Sequence, residues 1–343
     1  MEHDIMATIQ LQQAFDLSAP TSYRLEHFSE RGFYADFSGG IRVSFPAPGH
    51  GTDLLTGLSM SRGGSELFRM TDFSINVGGS WADAAIERGN LLPFYQRIMA
   101  QADHVTGSMG DDAVNGFDGA DRINGRGGND RLSGGLGNDS LVGGGGHDVL
   151  NGGDGNDVLV AGLGADVVSG GAGNDVLQVA GPAGVTVNLA LSGVQSLGGG
   201  ASVRLSGVES VTGTAGADRL TGNVLTNILN GGVGNDILSG AAGADVLLGA
   251  AGADRLIGGT GRDLLNGGAD ADRFVFAAGD GHDRIADFQN GIDRIEIASG
   301  AERFGDLRIT DAGANVVIGY GTDTITIENL DHRLIDASDF ILV

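Results

Sequence analysis

The sequence predicts an all-β protein: a solenoid of nine-residue units, two to a coil, preceded by a small β-rich cap. Three observations carry that prediction. From Asp112 to Asp175 an aspartate returns every ninth residue, an aliphatic residue follows each by two, and a glycine precedes each by two. Glycine supplies 63 of the 343 residues, most of them between 107 and 268, against an average usage of about 7%. Nine residues do not match the 3.6-residue period of an amphipathic helix, and this much glycine would melt one.

The first array runs without insertion through Asp112, Asp121, Asp130, Asp139, Asp148, Asp157, Asp166 and Asp175. Its aliphatic partners are Val114, Ile123, Leu132, Leu141, Leu150, Leu159, Val168 and Leu177. After an interruption the beat resumes at Asp218, Asp236, Asp245, Asp254, Asp263 and Asp272, with Asn227 in the slot between the first two. The step from Asp175 to Asp218 is 43 residues, not a multiple of nine, so the second array reads as a fresh start.

A nine-residue unit suits a six-residue turn followed by a three-residue strand. Glycine provides the positive φ angles of the turn without a Cβ penalty. In the strand the middle aliphatic residue points inward and its neighbours outward. Two units then close a coil with a thin aliphatic core, and coils stack at about 4.8 Å, the ordinary interstrand spacing. Alternate units share a side, so the aspartates of the first array form two columns. One holds Asp112, Asp130, Asp148 and Asp166; the other holds Asp121, Asp139, Asp157 and Asp175. Stacked carboxylates repel unless a cation lies between them. Turn carbonyls such as those of Gly134, Gly135, Gly137, Gly143, Gly144, Gly146, Gly152, Gly153 and Gly155 add oxygens to the same gaps. Hard oxygens, with no Cys and few His in the chain, select Ca²⁺ over zinc or copper. Counting the gaps between successive aspartates bounds the load at about ten ions, carrying roughly +20 against a formal net charge of −24.

Units such as GGLGNDSLV (134–142), GGDGNDVLV (152–160), GGAGNDVLQ (170–178) and GGVGNDILS (231–239) resemble the RTX, or haemolysin-type, calcium-binding nonapeptide. The resemblance implies a parallel β-roll with each Ca²⁺ held between the turns of units n and n+2. GNVLTNILN (222–230) departs from it, with Leu225 for the turn glycine and Asn227 for the aspartate, which predicts weak sites there. GAAGADVLL and GAAGADRLI (240–257) lose their second glycine, a milder change because alanine keeps the carbonyl.

The remaining segments divide the chain as follows. Residues 1–106 read as an N-terminal β-rich cap: Ile41, Val43 and Phe45 alternate, as do Phe73, Ile75 and Val77, and 80–103 reads as two short helices. Residues 107–180 form the first block, 181–212 a strand-rich insert with a bulge or hairpin, and 213–275 the second block. Residues 276–343 form a C-terminal cap and secretion region. There, GGADADRFVFAAGDGHDRIADFQNGIDRIEI (267–297) resembles the segment after the repeats in serralysin-type proteases. Phe274 and Phe276 are expected to seal the roll, and NVVIGYG and DTITIEN to pair antiparallel. The ending DASDFILV resembles the uncleaved C-terminal signal of type I secretion substrates, although a terminal apolar strand packed in a core would read the same way.

Several functions are disfavoured. A pI near 4.3 argues against nucleic acid as a partner. No run of 18 apolar residues offers a membrane span, and MEHDIMATIQLQQAFDL lacks the basic and apolar regions of a Sec-type signal. The cap contains neither HExxH nor GxSxG; HFSE (27–30) is not the former. His27, His50, His104, His147 and His282 are dispersed, and nothing in the spacing of Asp36, Asp53, Glu66 and Asp72 singles out a catalytic pair. No catalytic residue is therefore assigned. The expectation is a secreted calcium-binding RTX protein that folds on Ca²⁺ outside the cell, with a structural, adhesive or surface-associated role. Its expected partners are a type I ABC transporter and cell-surface or extracellular polysaccharide. A secreted polysaccharide-modifying or hydrolytic enzyme, or an accessory module of one, is the alternative.

Overall fold

In the computed structural model, five N-terminal strands are described by their backbone alone, and residues 102–343 in full apart from 103, 108 and 182. The helices expected at 80–103, and the side chains of His27, His50, Asp36, Asp53, Glu66 and Asp72, lie outside what is described. The chain divides into two compact units, Met1–Asp175 and Val176–Val343. Each contains a parallel β-solenoid, and among the described residues helix is limited to three short 3₁₀ turns near the C-terminus.

In the first unit, Tyr23–Ser29, Gly32–Phe37, Ile41–Pro46, Leu54–Arg62 and Ser65–Asn76 form an antiparallel meander. The alternating runs at 41–45 and 73–75 both lie in these strands. Ser65–Asn76 pairs antiparallel with His104–Thr106, which in turn pairs parallel with Arg122–Asn124. The meander thus donates the hydrogen-bond edge from which the solenoid grows, and that sheet edge is covered rather than open.

From there successive coils stack in strict register. Val105, Ile123, Leu141 and Leu159 pair along one sheet, and Val114, Leu132, Leu150 and Val168 along the other. All are buried, and burying each contributes about 1.5–3 kcal/mol. The strands are longer than the three residues expected. Ser140–Gly145 and Val158–Leu163 run six residues, into the glycines, and pair again at Gly144 and Gly162. The reason is local: the glycines keep finding partners one coil away, as when Gly125 N–H donates to the Val142 carbonyl at 2.8 Å.

The second unit has the same two ladders. Leu177, Val211, Leu229, Leu247, Leu265, Ile285 and Ile327 line one, and Val187, Leu220, Leu238, Leu256, Phe274, Ile295 and Phe340 the other. Two expectations change here. The second array is not a fresh start: Leu177 pairs with Val211 and Val187 with Leu220, so one long coil replaces the usual eighteen-residue step and the ladder carries on. The extra residues of that coil leave as the antiparallel hairpin Val194–Gly198 and Ala201–Ser206, bulged between Ser196 and Gly198. Nor do Phe274 and Phe276 seal the roll. Both are buried, but Arg294–Ile297 stacks on their strand, and Phe340–Leu342 stacks on Arg294–Ile297. The expected antiparallel pair is present as Val316–Tyr320 and Asp323–Ile327, and the latter joins the roll parallel to His282–Ile285.

Candidate metal centre

The nine-residue beat sets each aspartate at the inner end of a turn, two residues before a core aliphatic. Its Oδ1 accepts the backbone N–H of the aspartate one coil earlier. Asp130 bonds Asp112 at 2.8 Å, Asp148 bonds Asp130 at 2.8 Å and Asp166 bonds Asp148 at 2.9 Å. The other column repeats this for Asp121, Asp139, Asp157 and Asp175. In the second unit Asp218, Asp236, Asp254 and Asp272 form one ladder, and Asn227, Asp245 and Asp263 the other. Both columns of each array are thus assembled as the spacing predicts. All of these side chains are buried except that of Asp112, which is half-buried.

The second carboxylate oxygen is the anomaly. Oδ2 of Asp130, Asp139, Asp148, Asp157, Asp166, Asp236, Asp245, Asp254, Asp263 and Asp272 is buried and meets no donor. A buried, unpaired carboxylate oxygen is costly unless a proton or a cation compensates it. Oδ2 of Asp130, Asp139, Asp148, Asp157, Asp245 and Asp254 faces the glycine five residues before it, together with a backbone carbonyl from the next coil. A Cβ at Gly134 would collide with both Asp139 Oδ2 and the Gly152 oxygen; at Gly125, Asp130 Oδ2 and the Gly143 oxygen stand in the same places. Carbonyls of Gly135, Gly137, Gly144, Gly146, Gly153 and Gly155 point along the stack against the glycines eighteen residues on. At Gly155, for example, φ is +138° and the Gly137 carbonyl lies where a side chain would go. Donor-free carboxylate oxygens and backbone carbonyls therefore line the spaces between coils. Among the described residues no three carboxylate or imidazole side chains converge on a point, so a cation here must also draw on backbone oxygens.

Burial is the main force on these acids and pushes their pKa values up. It lifts Asp130, Asp157, Asp245 and Asp254 to about 6 and Asp272 to about 7, against the lowering effect of the backbone bond to Oδ1. Neighbouring carboxylates in the column add to the rise. Below about pH 6 Asp130, Asp157, Asp245 and Asp254 hold protons that a divalent ion would have to displace.

The family profile of the RTX calcium-binding nonapeptide repeat, in its four-copy form, matches residues 106–141, 115–150, 142–177, 205–224, 212–247, 222–256 and 248–285. The chain carries RTX calcium-binding repeats. Among solved structures, the extracellular lipase LipA from Serratia marcescens is 18% identical at a TM-score of 0.32, covering 68% of this chain and 42% of the lipase. The AlgE6R3 subunit of the Azotobacter vinelandii mannuronan C5-epimerase is 27% identical at a TM-score of 0.22, covering 37% of this chain and 78% of the subunit. The chain therefore spans less than half the length of the lipase. No curated protein matches the sequence. Among the described residues no helix is long and apolar enough to cross a membrane.

The RTX columns are not uniform. Asp218 opens the second array with both oxygens occupied. Val185 N–H donates to Oδ1 at 2.6 Å, Thr214 N–H to Oδ2 at 2.6 Å, and the Thr214 hydroxyl to Oδ1 at 3.0 Å. Asn227 is equally satisfied, its Oδ1 taking the Asn223 N–H and its amide donating to the Glu209 carbonyl. Here hydrogen-bond donors meet the oxygens that stay unpaired in the other coils.

Sequence spacing missed Asp283 and Asp293, which extend the two columns beyond Asp263 and Asp272 at steps of 20 and 21 residues. Longer turns broke the count of nine. The surviving signal was the Asp-Arg-Ile triplet, with the isoleucine two residues after the acid as in the repeats. Of the histidines with described side chains, His104, His147 and His282 are exposed, in keeping with surface roles.

Proposed function

We propose that the RTX rolls bind calcium between turns eighteen residues apart, and that this binding is the event that folds the protein outside the cell. The ligands assigned are the orphaned Oδ2 atoms with the turn carbonyls facing them; those oxygens, buried and without donors, are the observation that carries the reading. Ca²⁺ takes six to eight oxygen ligands, so each ion would use carboxylates and carbonyls from two coils. Asp218 and Asn227, already saturated by donors, are assigned weak sites or none, which lowers the load below the bound of about ten ions set by counting gaps.

Sites of the extracellular class bind with Kd on the order of 10⁻⁴ to 10⁻³ M. Such sites stay empty in a cell interior, where the buried acids would hold the glycine-rich chain open for threading through a type I ABC transporter. The apolar segment Phe340–Leu342 would then be exposed for recognition before export and paired with Arg294–Ile297 afterwards. Outside, ligand binding adds directly to folding free energy. Acidic β-solenoid units, the first of them strand-capped, suit a structural or adhesive role at the cell surface, with extracellular polysaccharide as the partner class.

Circular dichroism of the full chain in millimolar calcium and in EDTA tests the central claim. Strand signal that appears only with calcium is expected; the same signal in EDTA at neutral pH would overturn it.

A further inference from the structure

Just beyond the last nonapeptide three acids lie buried together: Asp283, the end of a repeat column, with Asp280 and Asp323, which belong to neither column. Asp280 is 9% exposed, Asp283 1% and Asp323 6%, and among the described residues none is in an ion pair with Lys, Arg or His. The backbone brings them together. Asp283 lies on the strand His282–Ile285, which pairs with Asp323–Ile327 so that Asp283 stands opposite Ile325, two residues from Asp323 on the same inward face. The tight turn between Phe276 and His282 joins the set: Ala277 N–H donates to Asp280 Oδ2 at 2.6 Å, and Gly279 N–H donates to Asp323 Oδ2 at 2.7 Å.

Two atoms in this cluster have no partner. Asp283 Oδ1 takes the Asp263 N–H at 3.0 Å, but its Oδ2 is buried and bare. The hydroxyl of Tyr320, a residue 1% exposed, is bare as well. Tyr320 pairs across the hairpin with Asp323, and its ring is held by Phe276 at a centroid distance of 6.4 Å and by Gly300 beneath it. Burial pushes the Tyr320 hydroxyl up, and the fields of Asp283, Asp280 and Asp323 push it further. Burial, reinforced by Asp263, Asp280 and Asp323, also raises Asp283 to about 7. A packed core does not retain a buried tyrosine hydroxyl and a buried carboxylate oxygen unpaired without something to compensate them.

We propose that Asp280, Asp283 and Asp323, with the Tyr320 hydroxyl, hold one hard divalent cation of the calcium class at a site outside the nine-residue beat. The ion would tie the turn at 277–281 and the strand Asp323–Ile327 to the final coil, locking the C-terminal hairpin onto the roll. Among the described residues no three carboxylates meet at a point. An ion draws them inward and completes its shell from turn carbonyls and water.

Terbium, a luminescent stand-in for calcium, reads this site on the full chain. Tyr320 is the sole Tyr or Trp after Tyr95, so energy transfer from a tyrosine to an ion in this region reports on it alone. Tyrosine-sensitised terbium emission that calcium displaces is expected. It should be lost in Tyr320→Phe, Asp283→Asn and Asp323→Asn, and kept in Asp148→Asn, whose lesion lies in a repeat. Circular dichroism in calcium shows whether each variant keeps its roll. Should Asp323→Asn fail to fold, Asp280→Asn, placed in the turn and outside the ladders, carries the same expected loss. Emission undiminished in Tyr320→Phe, or parent-like emission and calcium displacement in a folded Asp323→Asn or Asp280→Asn, would overturn the proposal.

Discussion

Asp148 Oδ2 meets no donor, while its Oδ1 accepts the Asp130 N–H at 2.8 Å. One oxygen builds the ladder; the other is the one proposed to meet calcium. Replacing Asp148 by Asn keeps a ladder acceptor but removes the charge. The calcium-dependent part of the stability should fall by roughly 1–3 kcal/mol, the scale of a lost buried charged contact, and the calcium midpoint of folding should rise. Asp218→Asn is the contrast. Its amide would face the Thr214 and Val185 donors, so the loss should be the same at every calcium concentration that folds the chain. Calcium titrations followed by circular dichroism separate the two behaviours.

Acid should partly substitute for calcium. The column aspartates have folded-state pKa values raised from 3.8 to about 6 at Asp130, Asp157, Asp245 and Asp254, and to about 7 at Asp272, chiefly by burial. The folded state therefore binds more protons than the unfolded state between those values. The stability this gives the metal-free roll is fully present below pH 3.8 and is lost as pH rises through about 6 to 7. Metal-free chain should show strand signal near pH 4 that disappears by neutral pH. In calcium the dependence should reverse over the same window, because binding must displace those protons. Dilute samples scanned by circular dichroism from pH 4 to 8, with and without calcium, check both signs.

What the sequence makes legible follows from its period. Leu141 over Leu159 and Asp130 over Asp148 are the same fact, a coil of eighteen residues, and counting reaches both. Counting fails where the coil length changes. Asp283 and Asp293 stay in their columns although their steps are 20 and 21 residues, because ladder pairing holds the strands in register while the turns absorb the extra length. The satisfied state of Asp218 was hidden for a different reason. Its donors come from Thr214 in its own turn and from Val185, 33 residues earlier, and no local pattern announces the second.

The glycine departures make a test of backbone strain. Ala241 and Ala250 occupy the turn position where other units carry glycine, and both hold φ at +79°. An L-residue there costs roughly 1–2 kcal/mol. Ala241→Gly and Ala250→Gly should each raise the thermal midpoint measured in calcium, since relief of strain outweighs the added unfolded-state freedom of about 0.4–1 kcal/mol. Gly155→Ala should do the opposite and more strongly, because the Gly137 carbonyl occupies the space its Cβ would need.

Phe340 tests how the C-terminal strand is held. It pairs in register with Ile295, is 9% exposed, and its ring centroid lies 5.4 Å from that of Phe304. Truncating a buried phenylalanine costs about 3–5 kcal/mol, so Phe340→Ala should lower the thermal midpoint in calcium and free the last strand to exchange its amide hydrogens. The earlier coils depend on their own ladders and ions, so their protection should persist. Hydrogen exchange resolved by segment distinguishes this outcome from a loss spread evenly over the roll. An even loss would mean that the final strand is part of one cooperative unit with the repeats.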